Sequence, residues 1–327
     1  MRFRLWMAIA LMLGSACGTR AQVKNPPETK NAALRYWFAF AEIKDPPGDK
    51  NIQELLERTI AGEATWDEAK LGPILDANAE AIAMFQRATK LPECDWGLEY
   101  SQGPSASIAH VPRARVLARL NTLQGMRQMA NGQSEAAVET WLTGMRFSQQ
   151  VVKGSSLVTA LVAKSALMPN LRALTAEAKK GHLNETQKKE IGTAVKALPE
   201  DGFDWSAAWG IESAAVGQIL QELRKAPNPS GLYESIMRQP APKQGLPPTT
   251  QEMAAYWDYM MAVQAALRQS PAKAKILIDE LKTKGQKLSD IEKSMIPNAV
   301  KPNEMRLEVA AAREKLLEAV SQVPPVK

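Results

Sequence analysis

Two histidines and two cysteines are the whole stock of imidazole and thiol ligands in this chain of 327 residues. A zinc site draws on three or four ligands, commonly at short spacings on one element. His110 and His182 have no such partners nearby, and no metal site is expected. Thiol catalysis is disfavoured too, because Asp95 beside Cys94 opposes formation of a thiolate. Aromatic residues make up only 6% of the chain, and Val and Ile rarely alternate with polar residues, so strands have little support. There is no G-x-S-x-G and no phosphate-binding loop: Gly18-Thr19-Arg20 and Gly154-Ser155-Ser156 lack the lysine and the spacing. No cofactor is expected and no catalytic residue is assigned. Long hydrophobic runs are also missing. The most apolar stretch, 5–13 (LWMAIALML), is too short for a transmembrane span.

That stretch follows Arg2 and Arg4 and precedes small residues, the charged–apolar–small order of a secretory signal. Residues 1–21 are expected to be a signal peptide, with cleavage after Ala21. The competing reading is a lipid anchor on Cys17, since Gly14-Ser15-Ala16-Cys17 resembles a lipobox, although Leu13 stands one place too early. Either way the protein is expected to be exported, as a periplasmic or secreted protein or as a membrane-anchored lipoprotein. Cleavage after Ala21 leaves Cys94 as the lone cysteine, which excludes an intramolecular disulfide and predicts a buried, inert thiol.

The formal charge of +6 includes Arg2, Arg4 and Arg20. Without them the excess falls to +3, against 35 acidic residues. The remaining basic residues are interspersed with acidic ones and form no stripe, so no nucleic-acid partner is expected.

What is abundant is Ala, Leu, Met, Glu, Gln, Lys and Arg, the residues that lose least on entering a helix. The predicted class is all-α, an antiparallel helical-hairpin array, either TPR-like (an α-solenoid) or an irregular bundle. The predicted organisation is an N-terminal helical domain over 22–225, a linker over 226–250 with six of the 21 prolines, and a C-terminal helical region over 251–327.

Apolar spacing of i, i+3, i+4, i+7 places the first helix over 29–43 with Leu34, Trp37, Phe38 and Ala41 inward. A helix over 51–61 follows. Thr65-Trp66-Asp67-Glu68 reads as a capping box, ahead of a continuous helix over 73–90. Residues 92–112 lose the periodicity and form a long loop, the kind that is functional or disordered. Helices over 113–130, with Arg127 on its inner face, and 134–153, capped by Ser134, then form a hairpin. Further helices are expected over 156–180, 185–198 (capped by Asn184), 203–225, 251–268, 272–284, 290–294 and 304–321.

Within the hairpin, Gly125, Gly132, Ala137, Trp141 and Gly144 fall where a tetratricopeptide unit wants small or aromatic residues, with Ala137 and Trp141 as its A-x3-F step. Gln128 stands at the Tyr position of that pattern. The stretch Cys94-Asp95-Trp96-Gly97-Leu98-Glu99-Tyr100, with Gly103-Pro104 and His110 ahead of Arg113, resembles a group of uncharacterised exported bacterial helical proteins, in which such a loop precedes an Arg/Leu-rich helix and a TPR-like hairpin. The resemblance implies a fold and a compartment, and no activity.

The expected function is therefore an extracytoplasmic scaffold that binds an envelope protein or peptide. The contact surface is expected at Trp96, Tyr100, His110, Arg113, Arg119 and Gln124. Trp96 has a second reading, as a plug seated on the hairpin. The alternative function is a polysaccharide-active helical enzyme using paired carboxylates, Asp95 with Glu99 or Asp201 with Asp204. A perturbed carboxylate among Asp95, Glu99 and Glu212 in a deep pocket would mark it.

Overall fold

The computed structural model describes residues 28–99, 107–154, 156–243, 245–286 and 288–322, and the fold below is that of the unit beginning at Asn31. The described residues are helical and include no strand; an isolated parallel bridge joins Asn31 to Glu93. The expected signal peptide, Cys17 and Tyr100 lie outside the described residues.

Helix α1 (Ala32–Glu42) starts at Asn31, whose side chain accepts from Ala33 N–H. It buries Ala33, Tyr36, Ala39 and Phe40. The expected inward stripe is turned outward: Leu34, Trp37 and Phe38 are 51%, 40% and 62% exposed. The helix is apolar nearly all round, so spacing alone does not choose its face. Helix α2 (Lys50–Ala61) is capped by Asp49 and ends at Gly62, whose φ of 80° is the left-handed conformation glycine tolerates.

Asp67, not Thr65, caps α3 (Glu68–Ala77), accepting from Lys70 N–H. The expected continuous helix is broken at Asn78, and α4 (Ala79–Ala88) follows. Asn78 is buried, and its amide donates to the carbonyls of Ile74 and Lys44 while accepting from Lys44 N–H. Those bonds tie the break to the end of α1.

Helices α5 (His110–Ala130), α6 (Ser134–Val151) and α7 (Leu157–Lys179) form the centre, each packed along the next. Asn131 to Gln133 makes the first turn, with Gly132 at φ 75°. Ser134 does not cap α6; it is the first helical residue, and its hydroxyl accepts from Gln187 instead. Arg127 leaves the apolar face to hold Asp76 at 2.6 Å and Glu68 by two bonds, stapling α5 to α3.

Close approach within this centre depends on small residues. A Cβ at Gly125 would lie 2.4 Å from Trp141 Nε1, and one at Gly144 would lie 2.5 Å from Asn170 Nδ2. Asn170 is fully buried, donates to the Ala166 carbonyl and accepts from Thr122. Gly144→Ala should therefore cost about 2 kcal/mol, since overpacking and the disturbed buried bonds outweigh the gain in helix propensity. Gly192→Ala, whose Cβ would meet only Val320 at 3.8 Å, should instead stabilise by about 0.5–1 kcal/mol. Urea denaturation of the two variants checks both signs.

Helix α8 (Glu185–Lys196) opens with the expected Asn184 cap, a reciprocal capping box with Gln187. Helix α9 (Trp205–Lys225) is followed by α10 (Pro229–Met237), α11 (Thr250–Leu267), α12 (Pro271–Gly285), α13 (Asp290–Met295) and α14 (Val300–Ser321). The segment expected as a linker thus contains a helix, and its Tyr233 is buried with the hydroxyl donating to Ser294. Nor does it separate two cores. Trp209 donates to the Met260 carbonyl and Tyr256 to that of Ser213, joining α9 to α11, and α14 packs along α7 and α8. One apolar cluster runs from Ala32 to Ala319.

Candidate functional site

The 92–112 segment was the expected contact surface. Its described part is fastened to the body. Ala32 N–H donates to Glu93 O at 2.7 Å, and Asn31 exchanges two 2.8 Å bonds with the backbone of Asp95. Trp96 is buried, stacked on Phe40 and Tyr36 on the α1 side and on His110 at a centroid distance of 4.3 Å. Its Nε1 donates to the Gln150 carbonyl at 2.9 Å. This is the plug arrangement. The structure brings Trp96 and His110 together but presents neither to solvent.

Cys94 Sγ lies 3.6 Å from the same carbonyl, and burial pushes its thiol up to about 12, so the thiolate nucleophile is suppressed. Burial pushes His110 down to about 4, and its Nε2 has no hydrogen-bond partner. Arg113 pairs with Asp45 at 3.1 Å and Arg119 with Glu57 at 2.7 Å; both pairs tie α5 to neighbouring segments. Gln124 is half-buried on α5.

An open groove lies elsewhere, along α7. One cavity of about 570 Å³ is walled by the end of α2 and the turn after it, the end of α5, and α7. Ile60, Trp66, Met126, Met129 and Ala173 give it an apolar lining. A second cavity of about 450 Å³ lies between α7 and α14, lined by Met168, Leu171, Ala311 and Ala312 among others. Arg172 and Ala176 line both. Small side chains at 173, 176, 311 and 312 keep the helix surfaces low, which is what opens the groove.

The charges in the groove are unequal in their commitments. Glu177 is buried and engaged by Lys180 at 2.7 Å and by His182 Nδ1 at 2.6 Å. Glu308 is held by Lys164. Arg172 is exposed, and no hydrogen bond or ion pair engages its guanidinium among the described residues. The two cavities thus meet at an uncompensated cation with apolar ground on either side. In the wall, Thr59 is 2% exposed and its hydroxyl is unpartnered.

None of these groove residues was expected as a contact residue from the sequence; Trp66 was read as part of a capping box, and His182 was weighed only as a metal ligand. A signal was present for Arg172: positions 168, 169, 175 and 176 hold Met, Pro, Thr and Ala, so no carboxylate stands one helical turn away to pair with it. The carboxylates considered for catalysis have structural employment. Asp95 accepts from Gly97 N–H, Asp204 caps α9 through Ala207 N–H, and Asp201 binds Arg306. Burial raises Glu212, which sits on α9. Among the described residues no group of His, Cys, Asp and Glu is arranged to hold a metal ion, and no helix is long and apolar enough to cross a membrane. Comparison of the chain with family models, with curated proteins and with solved structures gave no match.

Proposed function

We propose that this protein is an exported helical scaffold that binds a polypeptide segment carrying a carboxylate beside apolar side chains, along α7. The observation that carries the reading is the unpaired Arg172 at the junction of two open, apolar-lined cavities. A guanidinium offers a planar fork that matches a carboxylate, and such charge-assisted bonds are among the stronger ones. Methionine is adaptable, so Met126 and Met129 suit a partner side chain of variable shape. Ala137 and Trp141 at the α5–α6 seam are consistent with a TPR-like hairpin as the frame, and stacked helix pairs commonly present such concave surfaces.

Selection of a random peptide library on the immobilised protein tests the idea. The expected binders carry Asp, Glu or a free C-terminus next to Leu, Met or Phe. Arg172→Glu should weaken them by about 10- to 100-fold, corresponding to a charge-assisted bond of about 1.5–3 kcal/mol, with no change in thermal midpoint. Arg172→Lys should weaken them less. Binders with no acidic group, or equal affinity for the Arg172→Glu variant, would refute it.

A further inference from the structure

The stripe on α1 is the largest departure from burial at the start of the fold. Leu34, Trp37 and Phe38 stand one helical turn apart, and Trp37 is also braced edge-on against Phe40 and Trp96 at 5.6 and 6.4 Å. Its ring is therefore held from behind while its outer face meets solvent. We propose that this stripe docks α1 onto the interface of a lipid bilayer.

Area argues against a second copy of the chain. The three side chains expose about 300 Å² between them, taking about 150–250 Å² for each whole aromatic, whereas a stable protein interface needs about 800 Å² from each partner. The stripe lies on one convex helix and belongs to neither α7 cavity. A bilayer interface accepts a few protruding side chains, and Trp beside Phe is the composition found at headgroup depth.

The flanking charges are close to balanced. Arg35 beside the stripe and Lys44 beyond it are exposed, as are Glu42 and, at the start of the helix, Glu93 and Asp95; Asp45 is already held by Arg113. The apolar side chains therefore carry the attachment. Position fits as well. α1 is the first described helix after a leader that reads as an export signal, and the proposal rests on that reading for delivery to an envelope membrane. If Cys17 carries a lipid instead, the stripe supplies a second membrane contact, and two signals hold a protein more firmly than one.

The chain from residue 22 onward is the test material, since it retains every core side chain from Ala32 to Ala319. Sedimentation with vesicles of phosphatidylethanolamine and phosphatidylglycerol should show partitioning into the pellet. Leu34→Ser combined with Phe38→Ser should reduce the partition coefficient at least tenfold, with unchanged helical circular dichroism. Bromine-labelled acyl chains should quench part of the tryptophan emission, and Trp37→Phe should abolish that quenching while leaving most of the partitioning. No partitioning, quenching unaffected by Trp37→Phe, or a stripe-dependent dimer in analytical ultracentrifugation would overturn the proposal. Fusing residues 1–21 to a reporter active only after export tests the delivery reading separately.

Discussion

Replacing Arg306 by alanine should destabilise the fold by about 3–5 kcal/mol, the range for removing one partner of a buried ion pair. Arg306 is 2% exposed. Its Nε holds Asp201 at 2.5 Å, Nη1 holds Asn303 at 3.2 Å and Nη2 holds the Gln269 carbonyl at 2.6 Å. One guanidinium thereby joins α14 to the α8–α9 connection and to the end of α11. Alanine would leave a carboxylate that is itself largely buried without its cation, and a carbonyl without its donor. Arg306→Met with Asp201→Asn should lose less than Arg306→Ala alone, because no uncompensated charge remains. Urea denaturation reads both, provided the m value is unchanged. A loss below about 1 kcal/mol for Arg306→Ala would show that the clamp is solvated in practice.

This clamp also shows where sequence reading stops. Helices α5, α6, α8 and α9 were legible because their apolar spacing and flanking glycines agree with one another, and in α8 and α9 the caps Asn184 and Asp204 agree as well. Asp201 and Arg306 are separated by five helices, α9 to α13, and nothing local joins them. The same holds for α1. Its neighbours on one side are Trp96 and Phe147, brought in from distant segments, and they decide that Tyr36 faces inward and Trp37 outward. The break at Asn78 is likewise set by backbone groups of Lys44 rather than by a proline or glycine. The proline-rich 226–250 stretch was read from composition alone, whereas Asn228 as cap and Pro229 in the first turn build a helix there. The groove depends on which small residues of α7 and α14 oppose each other, again a long-range fact. Only the lack of a turn-spaced acid around Arg172 was on the page in advance.

Acid should weaken the fold through His110, and the sign follows from its burial. An unfolded imidazole titrates near 6.5, while His110 is held down to about 4 because burial disfavours its charged form. Between these values the unfolded chain binds more protons than the native one, so stability falls as pH falls. The contribution is complete above pH 6.5, is lost progressively toward pH 4, and amounts to about 3 kcal/mol at about 1.4 kcal/mol per unit. Neighbouring Tyr36 and Cys94 are both pushed upward by burial and stay neutral throughout. Glu212 acts in the opposite direction, because burial raises it and its cost is relieved on protonation, so the wild-type curve alone is a mixture. His110→Phe separates the two. Phenylalanine keeps a ring against Trp96 and removes the unpartnered Nε2. It should match or exceed wild type at pH 7 by about 1–2 kcal/mol, and its margin over wild type should widen by about 3 kcal/mol between pH 6.5 and 4. Parallel stability curves for the two proteins across that window would mean that the His110 ring reaches a proton acceptor on opening, and the burial argument for it would fail.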